Sequence, residues 1–281
     1  MESSANNLQQ ARAAVFKALH ERPGIFILPN PWDAGSAKML ASQGFEALAT
    51  TSAGLAFSLG KPDGEGALTR EENLENARAL IAATNLPVAG DLENGYGDDP
   101  AVCAETIGLA AAAGLVGGSI EDATGRPGDP IYPFELSVER VRAAVKAARS
   151  LPFPFLLTAR AENLIYGRPD LKDTIRRLEA FADAGADVLF APGLKTREEI
   201  DSVVRAVAPR PVNLVLSAAN AHFSLDELAA LGVKRVSLGS SLFRVAYGPL
   251  LRAGQEMRQK GSFSFAKEPT SYSELNALLR S

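Results

Sequence analysis

The 281-residue sequence contains one cysteine, two histidines, one tryptophan and no excess of positive charge. A single Cys103 cannot form an internal disulfide, and two histidines are too few for a multi-histidine zinc site. The formal net charge is −4 and there is no dense basic patch, which argues against a nucleic-acid partner. No apolar run is long enough to span a bilayer, so we expect no membrane partner either.

The N-terminal segment lacks the basic start and the apolar stretch of a secretory signal peptide. Cys103 lies in AVCAETIGLAAAAG, a predicted helix, and we interpret it as a small buried hydrophobic residue. A lone buried thiol is typical of a reducing compartment. We therefore expect a cytoplasmic protein.

What the sequence does contain is one repeated pattern: a short apolar run, a loop, and then a segment with helical spacing that ends at a small residue, Gly or Pro. The apolar runs predicted to be strands are GIFILP (24–29), EALATT (46–51), PVAGDL (87–92), GGSIED (117–122), FLLTAR (155–160), DVLFAP (187–192), VNLVLS (212–217) and RVSLGS (235–240). Apolar strands that alternate with helices indicate a parallel sheet covered on both faces. Eight such units predict a (β/α)8 TIM barrel.

An open doubly wound sheet is the alternative architecture, but no GxGxxG follows the first strand. No segment has the composition of a linker, so we expect one domain over residues 1–281. A helix at about 6–20 precedes the repeat, and tail helices at about 241–260 and 271–280 follow it. Thr69 and Glu72 have the spacing of a capping box, which predicts a helix start there.

Polar side chains follow most of the predicted strands, at the end of a barrel where active sites lie. They are Thr50, Thr51 and Ser52; Asp91, Glu93 and Asn94; Glu121 and Asp122; Arg160, Glu162 and Asn163; Ser217 and Asn220; and Ser240. One isolated carboxylate would more often be a helix cap or a surface ion pair. Several together would repel one another unless a cation lies between them, and ligands that are all oxygen favour Mg2+ or Mn2+. The planar fork of Arg160 is suited to a substrate carboxylate.

These residues resemble motifs of the isocitrate lyase/phosphoenolpyruvate mutase superfamily, and the resemblance extends from about Leu28 to Gly248. LPNPWDAGSAKMLASQGFEALATTSAG resembles the opening βα unit, and SLGKPDG resembles the loop after strand 2. GDLENGYG resembles the Asp-x-Asp-Thr-Gly-Tyr/Phe-Gly motif of strand 3. SIED resembles the Glu-Asp pair of strand 4, and TARAEN resembles the arginine motif of strand 5.

The resemblance implies a barrel whose C-terminal helix is swapped between subunits of a homodimer or homotetramer. It also implies a Mg2+ cofactor, with Mn2+ possible, and cleavage or formation of a C–C or P–C bond next to an enolate. By motif position, Asp91 is the implied direct metal ligand. The implied site residues that remain are Glu93, Glu121 and Asp63 for metal-bound waters, Ser52, Ala53 and Gly54 for the substrate carboxylate, and Arg160 for substrate binding. Asn220 is a further substrate-binding candidate.

The sequence departs from the superfamily at the residue that donates a proton. The lyases carry Lys-Lys/Arg-Cys-Gly-His in the strand-4 loop, and here EDATGRPGDPIYPF has neither the cysteine nor the histidine. The Lys-Thr-Asn-Ser stretch of the mutases is also absent. Tyr132, Asp129, Glu162 or a metal-bound water are the candidate replacements, and we include Tyr132 with Arg160 and Glu121 among the catalytic candidates. Tyr132 can equally be an apolar anchor of its loop.

The leading hypothesis is a Mg2+-dependent lyase or hydrolase that acts on a small 2-oxo or 2-hydroxy carboxylic acid and releases pyruvate or a similar product. Oxaloacetate decarboxylase and phosphonopyruvate hydrolase are narrower alternatives, and a protein that binds such acids without turnover is an alternative of another class. A Schiff-base aldolase needs a lysine inside the barrel at a strand end. Lys61, Lys195 and Lys234 do not fit that position.

Overall fold

The computed structural model describes residues 2–64, 66–267 and 269–280, with side-chain environments from residue 7 onward. Within them, eight short parallel strands alternate with helices. The strands are β1 (Phe26–Leu28), β2 (Leu48–Ala49), β3 (Val88–Asp91), β4 (Gly117–Glu121), β5 (Leu156–Arg160), β6 (Val188–Phe190), β7 (Val212–Val215) and β8 (Arg235–Ser237). Each predicted strand is present, and each is shorter than its apolar run by one to four residues.

The strands form one sheet in the order β1-β8-β7-β6-β5-β4-β3-β2. β1 and β2 are the two ends of that order, and the amide of Ala49 donates a hydrogen bond of 3.0 Å to the carbonyl of Pro29 across the gap between them. The sheet is therefore a nearly closed parallel barrel. The predicted (β/α)8 fold class is confirmed.

Eleven α-helices lie in the described part of the chain. They are α1 (Glu2–Glu21), α2 (Ala34–Ser42), α3 (Ser52–Ser58), α4 (Arg70–Ala82), α5 (Pro100–Ala112), α6 (Phe134–Arg149), α7 (Leu171–Asp183), α8 (Arg197–Val207), α9 (Leu225–Ala230), α10 (Ser241–Lys260) and α11 (Tyr272–Arg280). The predicted capping box is confirmed: Thr69 accepts from the Glu72 amide and the Glu72 carboxylate accepts from the Thr69 amide. Among these helices none combines the length and the apolarity needed to cross a bilayer.

Helix α1 covers the amino-terminal ends of the strands. Ala13, Phe16 and Leu19 are buried against Phe26 and Leu28 of β1. The aromatic edge of Phe16 also lies so near Gly117 that a Cβ added there would be 2.9 Å from it. With this end closed by apolar packing, the barrel interior is open only toward the carboxyl ends of the strands.

Candidate active site

A cavity of about 440 Å3 occupies the carboxyl end of the barrel and extends into its interior. Alternate residues of a strand face the same side, and on β5, β7 and β8 the cavity lining follows that period. The pairs that line it are Thr158 and Arg160 on β5, Asn213 and Val215 on β7, and Arg235 and Ser237 on β8. The cavity therefore has a rim at the strand ends and a floor one layer of side chains deeper.

Asp91, the last residue of β3, is fixed at the rim by neighbouring donors. Its Oδ2 accepts from the amide of Ser52 at 3.0 Å and from the Ser52 hydroxyl at 2.8 Å. Its own amide donates to the Thr50 hydroxyl at 2.8 Å, and Asn73 donates to its carbonyl at 3.0 Å. The carboxylate therefore has one orientation before any ligand binds.

Arg160 at the end of β5 joins three carboxylates. Its Nη1 is 2.9 Å from Asp91 Oδ1, its Nη2 is 3.0 Å from Glu121 Oε2, and its Nε is 2.8 Å from Glu162 Oε1. The side chain of Glu162 is only 1% exposed, so these ion pairs are shielded from water. The guanidinium also lies over the ring of Phe190, 5.1 Å from its centroid.

The loop after β3 turns sharply through left-handed backbone. Glu93 has φ 47°, Gly95 has φ 78° and Tyr96 has φ 64°. Glycine is required at position 95 for two reasons. Its φ is positive, and an added Cβ would lie 2.9 Å from the sulfur of Cys103. The guanidinium of Arg140 holds the loop by donating to the carbonyls of residues 94, 97 and 98.

A smaller cavity of about 120 Å3, here called the acidic cavity, adjoins the rim and has four acids and one arginine in its lining. Glu93 and Glu121 face it from the ends of β3 and β4, and Asp63 faces it from the loop between α3 and α4. Glu162 and the phenol-bearing Tyr166 complete its acidic and aromatic wall. Asp63, Glu93, Glu121 and Glu162 thus surround one space.

The rim carries more negative than positive charge, and the pKa values reflect the imbalance. Burial, with repulsion from Asp91 and Asp63, raises the pKa of Glu93 to about 8. Burial also raises the pKa of Glu121 and of Glu162, although Arg160 opposes both shifts. Desolvation and Asp91 raise the pKa of Asp63. The raised pKa values favour the protonated forms of these groups, and a bound cation would relieve the same surplus of negative charge.

The donor set fits Mg2+ or Mn2+ in an open site. No group of three or more His, Cys, Asp and Glu side chains in the described ranges lies close enough together to enclose an ion. Mg2+ usually keeps several waters and binds through one or two carboxylates and the substrate, so a closed cage is not required. Asp91 would bind the ion directly, with Glu93, Glu121 and Asp63 placed to accept hydrogen bonds from its waters.

Three predicted site residues do not reach the cavity. The side-chain amide of Asn220 is used in bonds to the protein backbone, donating to the carbonyls of Leu194, in the loop after β6, and Val215, at the end of β7. Tyr132 is 1% exposed, and its hydroxyl donates to Asp98 at 2.6 Å while its ring lies under Arg140. Gly54 lies behind Ser52, where a Cβ would be 2.6 Å from the Thr51 methyl group.

The pattern of polar residues at strand ends does not predict the side chains that form the floor of the cavity. Arg235 and Asn213 lie in the first half of β8 and β7, and Thr158 lies in the middle of β5. A polar residue inside a buried apolar run is the feature of the sequence that indicates such a position, because a buried polar group needs a partner or a ligand. Tyr166, in a loop, gave no comparable signal.

Comparison with known proteins gives concordant matches. The family described as phosphoenolpyruvate phosphomutase matches residues 16–258. A Burkholderia cenocepacia structure, provisionally assigned as a lyase/mutase, is 57% identical with a TM-score of 0.94, over 98% of both chains. The 2-methylisocitrate lyase of Salmonella typhimurium is 31% identical over 82% of this chain and 79% of its own. The structure of 2,3-dimethylmalate lyase is 26% identical with a TM-score of 0.84, over 95% of this chain and 94% of that one.

Proposed function

Because the chain belongs to the phosphoenolpyruvate phosphomutase family of the isocitrate lyase/phosphoenolpyruvate mutase superfamily, we propose that it is a Mg2+-dependent lyase for a small 2-oxo or 2-hydroxy carboxylic acid. Its relatives are lyases and mutases, which confirms the prediction of an enzyme of this type and leaves the exact reaction open. Relatives named 2-methylisocitrate lyase and 2,3-dimethylmalate lyase favour cleavage of a C–C bond.

The observation that carries this proposal is the surplus of carboxylates around Arg160. Three acids contact its guanidinium, and Glu93 and Asp63 line the same space without a basic partner of their own within ion-pair distance in the described chain. A purely structural ion-pair network would balance its charges. A deficit of positive charge in a cavity is what a divalent cation corrects.

The residues of the chain divide the work at the rim. Asp91 holds the cation, and Ser52 fixes the orientation of Asp91 through two hydrogen bonds. Ala53 lines the cavity beside Ser52, where the substrate carboxylate would lie. Arg160 orients Asp91 and Glu121 and brings positive charge to the substrate. The bound cation supplies charge next to the oxygen on which an enolate develops.

A C–C lyase needs a proton donor, and the family's cysteine is absent from the strand-4 loop. The phenol of Tyr132 is bonded to Asp98 outside both cavities, so we do not assign it that role. Glu162 lines the acidic cavity, where burial raises the pKa of its carboxyl group and so favours the protonated form that an acid needs. We propose Glu162 as the acid, with a metal-bound water as the alternative.

Decarboxylation of oxaloacetate is the second candidate reaction. Loss of CO2 needs no proton donor on the leaving side, and the strand-4 loop brings neither cysteine nor histidine to the cavity. Hydrolysis of phosphonopyruvate follows in rank, because it too can yield pyruvate.

The test is pyruvate release by the purified protein with Mg2+ and, separately, with Mn2+. The substrates would be oxaloacetate, phosphonopyruvate, 2-methylisocitrate and 2,3-dimethylmalate, each with an enzyme-free blank. We expect release from one of them, and a loss of at least about 100-fold in Asp91→Ala, because a catalytic cation contributes several kcal/mol. The matched control is Asp201→Ala on the outer surface of α8, which should match the wild type.

If none of the four substrates released pyruvate, the proposed reactions would be contradicted. If oxalate still bound in a Mg2+-dependent manner, the protein would instead be a binder of small carboxylic acids that lacks turnover. If Mg2+ changed neither activity nor binding, the proposed metal site would be wrong.

We also propose that the chain forms a homodimer or homotetramer through its C-terminal helices. Large apolar side chains of α10 are exposed, among them Val245 at 70%, Leu250 at 61% and Leu251 at 68%. Phe263 and Tyr272, which follow α10, are exposed as well. A concentration of large exposed apolar side chains in one part of the chain favours an interface. Light scattering coupled to size-exclusion chromatography measures the assembly, and a monomer at micromolar concentration would contradict it.

A further inference from the structure

Arg235 is a buried arginine on the floor of the same cavity. It is the first residue of β8, it is 5% exposed, and its side chain lines the cavity that Asp91 and Arg160 border at the rim. The register pairs it with Phe26 of β1 and Asn213 of β7, at the amino-terminal end of the barrel. A guanidinium at this depth must find its partners inside the protein or in a ligand.

The partners that Arg235 has are all neutral. Its Nε donates to Asn213 Oδ1 at 2.7 Å, and its Nη2 donates to the Thr158 hydroxyl at 3.1 Å. Its Nη1 lies 3.2 Å from Nε2 of His20. Among the side chains of residues 7–64, 66–267 and 269–280, no carboxylate lies within ion-pair distance of Arg235, in contrast to the three that contact Arg160.

His20 cannot provide a compensating charge, because it is an acceptor here. Its Nδ1 is 2.8 Å from the carbonyl of Phe16, which can only accept, so we place the ring proton on Nδ1 and leave Nε2 free to accept from Arg235. Burial and the neighbouring Arg235 lower the pKa of His20 to about 3. Burial lowers the pKa of Arg235 to about 9, so the guanidinium remains charged at neutral pH.

The contacts leave donor capacity for a ligand. A guanidinium has five N–H groups, and these three contacts use three of them, so one N–H on Nη1 and one on Nη2 remain. A buried, uncompensated charge is unfavourable in a folded protein. Asn213 is itself fixed, because its amide donates to the Ser237 hydroxyl at 2.9 Å. The floor is therefore a rigid polar pocket with a surplus positive charge.

We propose that Arg235 forms a second anion subsite, which binds the far carboxylate of a dicarboxylic acid whose other end lies at the rim. Arg235 contacts Thr158, and Arg160 is two residues further along β5 on the same face, a rise of about 6.6 Å. That separation suits a short diacid rather than a monocarboxylate. The inference rests on the proposed function for its rim half, and it adds a specificity-determining residue for the substrate.

The test compares two stable 2-hydroxy acids that differ in the far carboxylate: malate and lactate. Binding would be measured by calorimetry with Mg2+ present. We expect the wild type to bind malate at least tenfold more tightly than lactate, because a hydrogen-bonded charge pair in a buried site is worth at least that factor. Arg235→Met should abolish the preference and leave lactate binding unchanged, whereas Arg142→Met on the exposed face of α6 should retain the preference.

Equal affinities for malate and lactate in the wild type would overturn the subsite, and so would a preference that survives in folded Arg235→Met. If Arg235→Met fails to fold, Arg235→Lys replaces it, because lysine keeps the charge but lacks the planar fork. This variant should fold and have a lower preference for malate. An unchanged preference would overturn the proposal. Failure of the rim site is a different result: neither acid would then depend on Mg2+ or on Asp91.

Discussion

Arg160 and Arg235 line one cavity and have opposite surroundings. Arg160 contacts three carboxylates in a region with two further acids, whereas Arg235 contacts an amide, a hydroxyl and a neutral imidazole. The rim thus lacks positive charge and the floor lacks negative charge. A cation at the rim and an anion on the floor would correct both, and a metal-bound diacid supplies both together.

The largest expected difference between the two arginines is in stability. Arg160→Met leaves three buried acids without their partner and should lower the free energy of unfolding by about 3–5 kcal/mol. Arg235→Met removes an uncompensated charge together with three hydrogen bonds to neutral groups, and the two effects oppose each other, so its cost should be about 1 kcal/mol or less. Urea unfolding at pH 8 without metal measures both. Equal losses would show that the two environments do not differ as described.

A smaller effect is expected from pH, through Glu93. Its pKa is raised from 4.5 to about 8 in the folded state, so the folded protein binds this proton more tightly than the unfolded chain. The contribution to stability is therefore present below about pH 4.5 and is lost as the pH rises toward 8. We expect a loss of about 2 kcal/mol across this window without metal, after allowance for partial exposure.

Two comparisons isolate the contribution of Glu93. Glu93→Gln should flatten the pH dependence of the unfolding free energy, whereas Glu75→Gln on the exposed face of α4 should leave it as in the wild type. Saturating Mg2+ should stabilise the protein more at pH 8 than at pH 5, because a cation replaces the proton. The same stabilisation at both pH values would contradict a cation site among these acids.

The smallest effect is expected at Tyr132. Its hydroxyl donates to Asp98 and accepts from Asn94, and Tyr132 itself lines neither cavity. Tyr132→Phe should therefore cost about 1 kcal/mol of stability and change turnover by less than twofold. Tyr166→Phe is the informative counterpart, because Tyr166 lines the acidic cavity. If Tyr132→Phe lost most of its turnover and Tyr166→Phe did not, the reaction would not take place at the rim.

The barrel and its rim could be predicted from the sequence because both follow from the repeat. Eight apolar runs with helices between them specify a parallel barrel, and the strand ends then specify which side chains meet. Asp91 and Glu121 are from different strands, and both reach the same guanidinium of Arg160. Parallel strands bring their ends to one edge whatever the loops do.

The floor and the loops could not be predicted in the same way. Arg235 lies in a run that the sequence predicts to be a buried strand, and the register and hydrogen bond with Asn213 show that it faces the interior. The direction of Tyr132 depends on Arg140 and Asp98, which belong to other elements. Side chains in loops are placed by tertiary contacts that have no period in the sequence.

The most direct test of the metal site at the rim is the binding of oxalate, measured by calorimetry with and without Mg2+. Oxalate is a planar dianion that resembles the enolate form of a 2-oxo acid. We expect oxalate to bind the wild type only when Mg2+ is present, and Asp91→Ala to bind it in neither condition. Binding that is equally tight without Mg2+, or that survives in Asp91→Ala, would contradict the assignment of Asp91 and its neighbouring acids as a cation site.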